Sequence, residues 1–534
     1  MRRRLLLLLF PPAVLVAGCG GGGDAPVSQP LCGTVPYPSN TGNVTPNPII
    51  DSPQVWSFVS EPDLHPMKVT INLNTAQASS QPIFVDPFTF SSVATYGQPG
   101  ALILDNGGVP LWFLPLSSPN LMIGDFRTQM LNGIPVLTFW QGTIATPPTY
   151  TNIPAGGAEP GGCYYIMDQA YRLVRTIIAG NGFDANFHEF VITPSNTAIF
   201  ISSKVVPTDL SPFGGAKTGS VFDFAIQELD LKTGDLLFFW DALDHIPLTD
   251  SHENIFNASQ SSNVWDPYHL NSLSLTDDPD DILVSGRNTW TIYKINKPTG
   301  NIIWQLGGKH SNFTIASRAE FSWQHDARWL PNNVISLFDD NCCETNTVPP
   351  GTPPSHGLLL QLRLTNMTAA VASEYYHDPA LNVPSQGSTQ ILANGNVFVG
   401  WGSDPYYSEY TASGNNIDEP GLDTVYSAQM PGSNSSYRAY RNDWVGTPFY
   451  PPSIAAQSSG DQTIVYASWN GSTQTDSWQL FGGSSPNSLS PLVTVKKSAF
   501  ETAISVPNGD LYFQVKALNA GGQIIGVSDV AEIH

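Results

Sequence analysis

Three histidines stand at the same place in three copies of one segment type. His188 opens His188-Glu-Phe-Val-Ile-Thr-Pro-Ser-Asn-Thr-Ala-Ile-Phe200. His269 opens His269-Leu-Asn-Ser-Leu-Ser-Leu275, which continues to Ile282-Leu-Val-Ser285. His325 opens His325-Asp-Ala-Arg-Trp-Leu-Pro-Asn-Asn-Val-Ile335. A fourth copy, Gly387 to Phe398, carries Gly387 in place of the histidine. Two polar residues accompany the middle copy: Asn271, on the same strand face as His269, and Arg287, just after the next strand. Imidazole is a nucleophile, an acid or a donor near neutral pH. Guanidinium is always charged and offers forked donors to an oxyanion. Together they suit binding a sulfate or phosphate ester, attacking it and stabilising the transferring oxygens. Three histidines also fit a metal site by number, but an arginine beside them repels a cation and no acid shares the repeated position. One such histidine reads as a hydrogen bond between strands; three in register point to a site.

Such convergence needs a scaffold that returns to one axis. Segments of the form apolar strand, polar turn, apolar strand begin at Ala101, Tyr164, Ile226, Ile292 and Leu358, and Tyr407 begins a sixth. Alternation around Gly and Asn turns marks antiparallel hairpins, and a repeat at this spacing suits propeller blades with loop insertions. The histidine segments read as the inner strands of the blades. The expected architecture is all-β, a six-bladed β-propeller over 85–446. Residues 19–55 read as a tether and 56–84 as a small β segment in which Val69 to Leu73 form a strand. Residues 447–534 read as a β-sandwich resembling fibronectin type III, with a tryptophan filling its core. This last module offers no catalytic cluster.

Composition agrees with an exported, turn-rich chain. Only 12% of the 534 residues are charged, aromatics reach 11%, and there are 46 Gly and 45 Pro. Arg2, Arg3 and Arg4 precede an apolar run that ends at Cys19, which resembles a bacterial lipoprotein signal over residues 1–18, with lipid on Cys19. Gly20 to Gly23 follow as a flexible tether, and Gly20 favours the outer membrane, facing the periplasm or the cell surface. Loss of the leader arginines leaves 19 cations against 44 anions, a net charge of −25. That field repels nucleic acid and anionic lipid, so the membrane enters only through the anchor. Cys32, Cys163, Cys342 and Cys343 remain, an even number with three possible full pairings. The oligomeric state is not legible.

The segments Trp265-Asp-Pro-Tyr-His-Leu-Asn-Ser272, Ile282-Leu-Val-Ser-Gly-Arg287, Thr299-Gly-Asn-Ile-Ile-Trp-Gln-Leu-Gly-Gly308 and Phe321-Ser-Trp-Gln-His-Asp-Ala-Arg328 are similar to the bacterial arylsulfate sulfotransferases, in the branch shared with fungal proteins. Gln386-Gly and Asn394 to Gly402 add to the likeness. The resemblance implies a six-bladed propeller enzyme that moves a sulfuryl group between phenols by ping-pong exchange through a sulfohistidine. It implies His325 as nucleophile, His269 and Asn271 as binders of the sulfuryl oxygens, with His269 assisting proton transfer, and Arg287 as the holder of charge. His188 is a further substrate-binding residue. The partners are then an aryl sulfate and a phenol. No adenylyl-sulfate donor, other cofactor or metal is expected, and nothing resembles a phosphate-cradling glycine loop. Trp265, Tyr268, Trp290 and Trp323 flank the motifs and could stack on an aryl ring, although blade core is the plainer reading of each. The competing readings are a non-catalytic propeller lipoprotein scaffold and a metal-dependent hydrolase.

Overall fold

The computed structural model describes residues 52–89, 96–116, 121–143, 161–255, 264–341, 353–415 and 417–533. These are all-β, with one short α-helix, Ala242–His245. The hairpins follow their turn chemistry. Between Thr291–Asn296 and Ile302–Gly307, for example, Gly300 adopts φ 72° and donates to Asn296, while Asn296 donates to Asn301. Along Thr291–Asn296 the adjacent Ile292 and Tyr293 are both fully buried, so both faces of that strand are covered.

Four antiparallel sheets are built alike. One orders Ser435–Arg441, Ile83–Phe88, Gly100–Leu104 and Pro110–Pro115, so the late strand Ser435–Arg441 joins three early ones. Another orders Leu270–Leu275, Asp281–Gly286, Thr291–Asn296 and Ile302–Gly307. The third runs from His325–Leu330 through Val334–Asp339 and His356–Arg363 to Thr368–Tyr375, with Thr314–Ile315 added in parallel. The fourth runs from Ser388–Ile391 through Val397–Gly400 and Tyr406–Tyr410 to Thr424–Gln429. A nine-stranded sheet contains two more meanders, one starting at Met122–Leu131 and one at Asp184–Ile192, joined by the single pair Gly162 and Ala185. The first strands neighbour one another in turn: Met122–Leu131, Asp184–Ile192, Leu270–Leu275, His325–Leu330, Ser388–Ile391 and Ser435–Arg441, which returns to Met122–Leu131.

Apolar side chains fill the spaces between sheets. Leu283, Ile292 and Leu306 meet Ile335, Leu337, Leu358 and Leu360, all fully buried. Each such side chain contributes about 1.5–3 kcal/mol of transfer free energy. Thr70–Asn74 is the strand expected near Val69 to Leu73. It forms no sheet with its sequence neighbours and pairs instead with Thr424–Gln429 as the outer edge of that sheet. Two further sheets follow. Ser453–Ser459, Gln462–Ser468 and Glu501–Pro507 form one, and Ser488–Lys496, Ser477–Ser485, Tyr512–Leu518 and Ile524–Val527 the other. Trp478 is fully buried with Val465 and Val515, and the same core continues into Trp112, Phe126 and Tyr171. The Asn470 amide brackets both backbone groups of Phe113.

Cys163 is disulfide-bonded. Cys32, Cys342, Cys343, the leader and Cys19 lie outside the described residues. No helix of the described residues is long and apolar enough to cross a membrane.

Candidate active site

The ring of first strands places its functional residues with backbone irregularities. Five of these strands slip register near the end that carries the histidines. The slips lie across Asp125 and Phe126, across 186–189, at Asn271, across Asp326 and Ala327, and across Tyr437 and Arg438. A bulge leaves residues without ladder partners and re-aims their side chains. Here the residues released are His188, Glu189, Asn271, Asp125, Asp326 and Arg438. Left-handed backbone recurs among them and their neighbours, at Asp125, His269, Trp323, Asp326 and Gln386. Such strain in residues other than glycine is retained where a fixed geometry is needed.

The three histidines and Arg287 come together. The His188 and His269 rings meet edge to face, 4.8 Å between centroids. Each of the three directs Nδ1 to an oxygen: His188 to Asn186 Oδ1 at 2.5 Å, His269 to Asp266 Oδ2 at 2.5 Å, and His325 to Asp340 Oδ2 at 2.6 Å. For His325 the tautomer follows from the other nitrogen. The backbone N–H of Gln386 donates to His325 Nε2 at 3.2 Å, and a backbone amide can only donate. Nε2 therefore carries a lone pair and Nδ1 the proton.

Burial pushes the His325 imidazole well below its usual range, and Arg287, His269 and Arg438 add to the effect. Burial pushes Asp340 the other way, well above the carboxylate range, against the attraction of Arg287. Both directions fit one arrangement: a neutral His325 whose Nδ1–H donates to Asp340 Oδ2, with the lone pair of Nε2 facing the Gln386 N–H. His188 is likewise lowered by burial, then by His269, His325, Arg438 and Arg287, so it too is neutral near pH 7.

Arg287 donates to Asn288 Oδ1 at 3.0 Å and to the Pro384 carbonyl at 3.2 Å, and lies over the Trp323 ring at 4.8 Å. Its buried Nε has no partner. Among the described residues Arg287 makes no salt bridge, unlike the arginines beneath it, so its charge is available to an anion. Asn271 is fully buried and has a second task. Its Nδ2 donates to the Gln324 carbonyl at 2.7 Å, while its own carbonyl accepts from Arg438 at 2.9 Å and Tyr437 at 3.2 Å. Gln324 Nε2 in turn donates to Ser285 Oγ and the Gly286 carbonyl. The strands next to His269, Arg287 and His325 are thus tied together directly behind those side chains.

Below the histidines lies a layer that sequence reasoning missed. Asp125, Glu189 and Asp326 are matched by Arg127, Arg328 and Arg438. Fully buried Arg438 reaches Asp125 at 2.7 Å, Glu189 at 3.1 Å and Asp326 at 3.4 Å. A signal for it existed, since His188-Glu189 and His325-Asp326 each put an acid straight after the histidine. Asp340, Asp266 and the Gln386 amide were also missed. Gly387 fits its copy of the repeat because a Cβ there would lie 2.5 Å from the Phe338 ring, at φ 102°. Of the flanking aromatics, Trp265 and Tyr268 belong to the core, whereas Trp323 carries Arg287. Among the described residues no group of three or more His, Cys, Asp or Glu side chains is placed to hold a metal ion.

No curated protein matches the chain. Solved structures similar to it include a Bacteroides caccae protein of unknown function (12% identity, 68% of this chain and 98% of that one, TM-score 0.36). They also include the periplasmic gluconolactonase of Pseudomonas aeruginosa (11%, 70% and 92%, TM-score 0.27) and a streptogramin B lyase (10%, 74% and 87%, TM-score 0.28). The family described as Arylsulfotransferase (ASST) matches residues 127–418, more than half of the chain and the whole span from Arg127 through all three histidines, and the chain belongs to that family.

Proposed function

We propose that this protein transfers a sulfuryl group from a phenolic sulfate ester to a phenol through a sulfohistidine at His325. The observation that carries the reading is the state of His325, a neutral imidazole with its proton held on Nδ1 by Asp340 and a lone pair on Nε2. In the first half-reaction Nε2 gives up its hydrogen bond from the Gln386 N–H and attacks sulfur, and the bond from sulfur to the aryl oxygen breaks. The electron pair leaves with the phenolate, which takes a proton from His269. The N-sulfonated ring keeps its Nδ1 proton, and Asp340 balances the resulting positive charge. In the second half-reaction the acceptor phenol gives its proton back to His269, its oxygen attacks sulfur, and the bond from Nε2 to sulfur breaks. Arg287 stabilises the sulfuryl oxygens, with His188 packed against His269 at the same place. The remaining N–H of Asn271 serves those oxygens or the frame behind them.

The scaffold of this reading is a six-bladed propeller over 85–446, closed by Ser435–Arg441, with a fibronectin-III-like sandwich over 447–534. The ring of neighbouring first strands and the two C-terminal sheets support it. The mature chain is lipid-anchored through Cys19 after loss of residues 1–18, in the cell envelope, and residues 19–55 act as its tether.

Purified protein incubated with an aryl sulfate and a second phenol is expected to transfer the group. Mass spectrometry of the quenched protein should find sulfuryl on the peptide containing His325. A wild-type protein that neither turns over nor becomes labelled would overturn the reading in favour of a non-catalytic scaffold.

The pH dependence has a definite sign. His325 is depressed in the folded protein, so it stays neutral and nucleophilic below its ordinary value near 6.5. The acid limb of kcat/KM for the donor is therefore expected below pH 6.5. A depressed folded value also means that stability is fully present above pH 6.5 and is lost as pH falls towards the folded value. An acid limb at or above 6.5 would show that His325 is not the group that must be neutral.

A further inference from the structure

The turn after Arg287 does more than close a hairpin. Trp290 stands there with φ 51°, a conformation rarely adopted by a bulky side chain, and donates its N–H to the Arg287 carbonyl. Its indole stacks on His252, 3.6 Å between centroids and 5° between planes. The His252 N–H is tied to the Asn288 carbonyl at 2.7 Å, so both rings hang from the same turn. Burial, and then Lys309, push His252 down to about 4, which leaves the imidazole neutral near pH 7. The two stacked rings form one uncharged aromatic wall. Each ring also keeps a buried polar atom without a partner, Trp290 Nε1 and His252 Nε2.

This wall faces a pocket of about 630 Å³, also lined by Phe313, Phe321, Ser311 and Glu320. That volume lies within the roughly 300–1,000 Å³ typical of small-molecule sites. Among the described residues the lining includes no lysine or arginine, so the pocket does not suit the sulfuryl group. Its wall packs against the groups that do. Trp290 meets Trp323 edge to face at 5.4 Å, and Trp323 carries Arg287 at 4.8 Å. Ser322, another lining residue, precedes His325 by three positions.

We propose that this pocket binds the aromatic body of the acceptor and selects phenols of more than one ring, holding the hydroxyl end towards Arg287 and His325. The assignment rests on the transfer reaction proposed above. A fused bicyclic phenol reaches the wall of His252 and Trp290, whereas a single ring seated at Arg287 gains little from it. Stacking on an indole, with exclusion of water, supplies the discrimination.

The test uses the full chain with 4-nitrophenyl sulfate as donor, and 2-naphthol and phenol as competing acceptors. In Trp290→Ala the ratio of kcat/KM for 2-naphthol to that for phenol is expected to fall about tenfold, with most of the loss in KM, and Trp290→Phe should restore part of it. Ser317→Trp fills the pocket from an exposed rim position without removing core, and should lower the same ratio. It keeps the test open if Trp290→Ala fails to fold. A pre-steady-state burst of nitrophenol from the wild type reports the first half-reaction independently. If the burst is present and the acceptor ratio is unchanged in both Trp290→Phe and Ser317→Trp, the pocket assignment is wrong. If the wild type shows no burst and no transfer, the reaction itself is wrong.

Discussion

The His325→Ala variant is expected to lose at least about 10³-fold in kcat/KM for sulfuryl transfer and to carry no sulfuryl group after quenching. The covalent step is assigned to His325 because the Gln386 N–H marks a lone pair on its Nε2, while burial and then Arg287 keep the imidazole neutral. Full activity in His325→Ala would remove the mechanism. Asp340→Asn sharpens the argument. Asparagine can donate through its amide nitrogen to Nδ1, which moves the ring proton to Nε2, against the Gln386 N–H. An expected loss of about 10²–10⁴-fold, with the fold retained, follows the general cost of holding a catalytic imidazole in the wrong tautomer. An Asp340→Asn protein that still labels at the wild-type rate would show that Asp340 does not set the tautomer.

Arg438→Leu is expected to cost about 3–5 kcal/mol of stability, the usual effect of removing one partner from a buried ionic network. Arg438 is fully buried and bridges Asp125, Glu189 and Asp326, three carboxylates from three different strands of the ring. Leucine fills much of the volume but leaves those carboxylates to Arg127 and Arg328. The denaturant midpoint should fall accordingly, and a shift worth under about 1 kcal/mol would show that the other arginines compensate. The pH behaviour gives a second reading. Burial raises Glu189, but Arg328, Arg438 and Arg127 outweigh it and hold the carboxyl at about 2. A depressed carboxyl contributes stability that is present above its unfolded value and lost as pH falls through the folded one. Removing Arg438 raises Glu189, so acid unfolding of Arg438→Leu should begin at a higher pH than in the wild type.

Much of the site was legible because it is repeated. His188, His269 and His325 could be aligned without coordinates, since each opens a strand of the same pattern, and the topology then had to bring them to one place. Arg287 followed from its place after the next strand. The partners that make the histidines chemically different were not legible. Asp340 lies 15 residues from His325, across a hairpin, and nothing in its neighbours distinguishes it from Asp339. The Gln386 amide that decides the tautomer is a backbone group, which has no sequence signature at all.

Local patterning was enough to specify strands, turns and the place of each histidine in its repeat, because alternation and turn residues act over a few positions. The register slips were settled only when sheets paired and packed, because a bulge is defined by the partner strand and not by its own residues. The same is true of the charge layer. Asp125 and Arg438 are 313 residues apart, yet they form one ion pair, since the last inner strand closes the ring against the early ones. Within a chain of net charge −22, those pairs are matched in the layer below, and among the described residues Arg287 makes no salt bridge. Desolvation and closure of the ring, both tertiary effects, gathered three aligned imidazoles into one buried cluster and gave each a different partner.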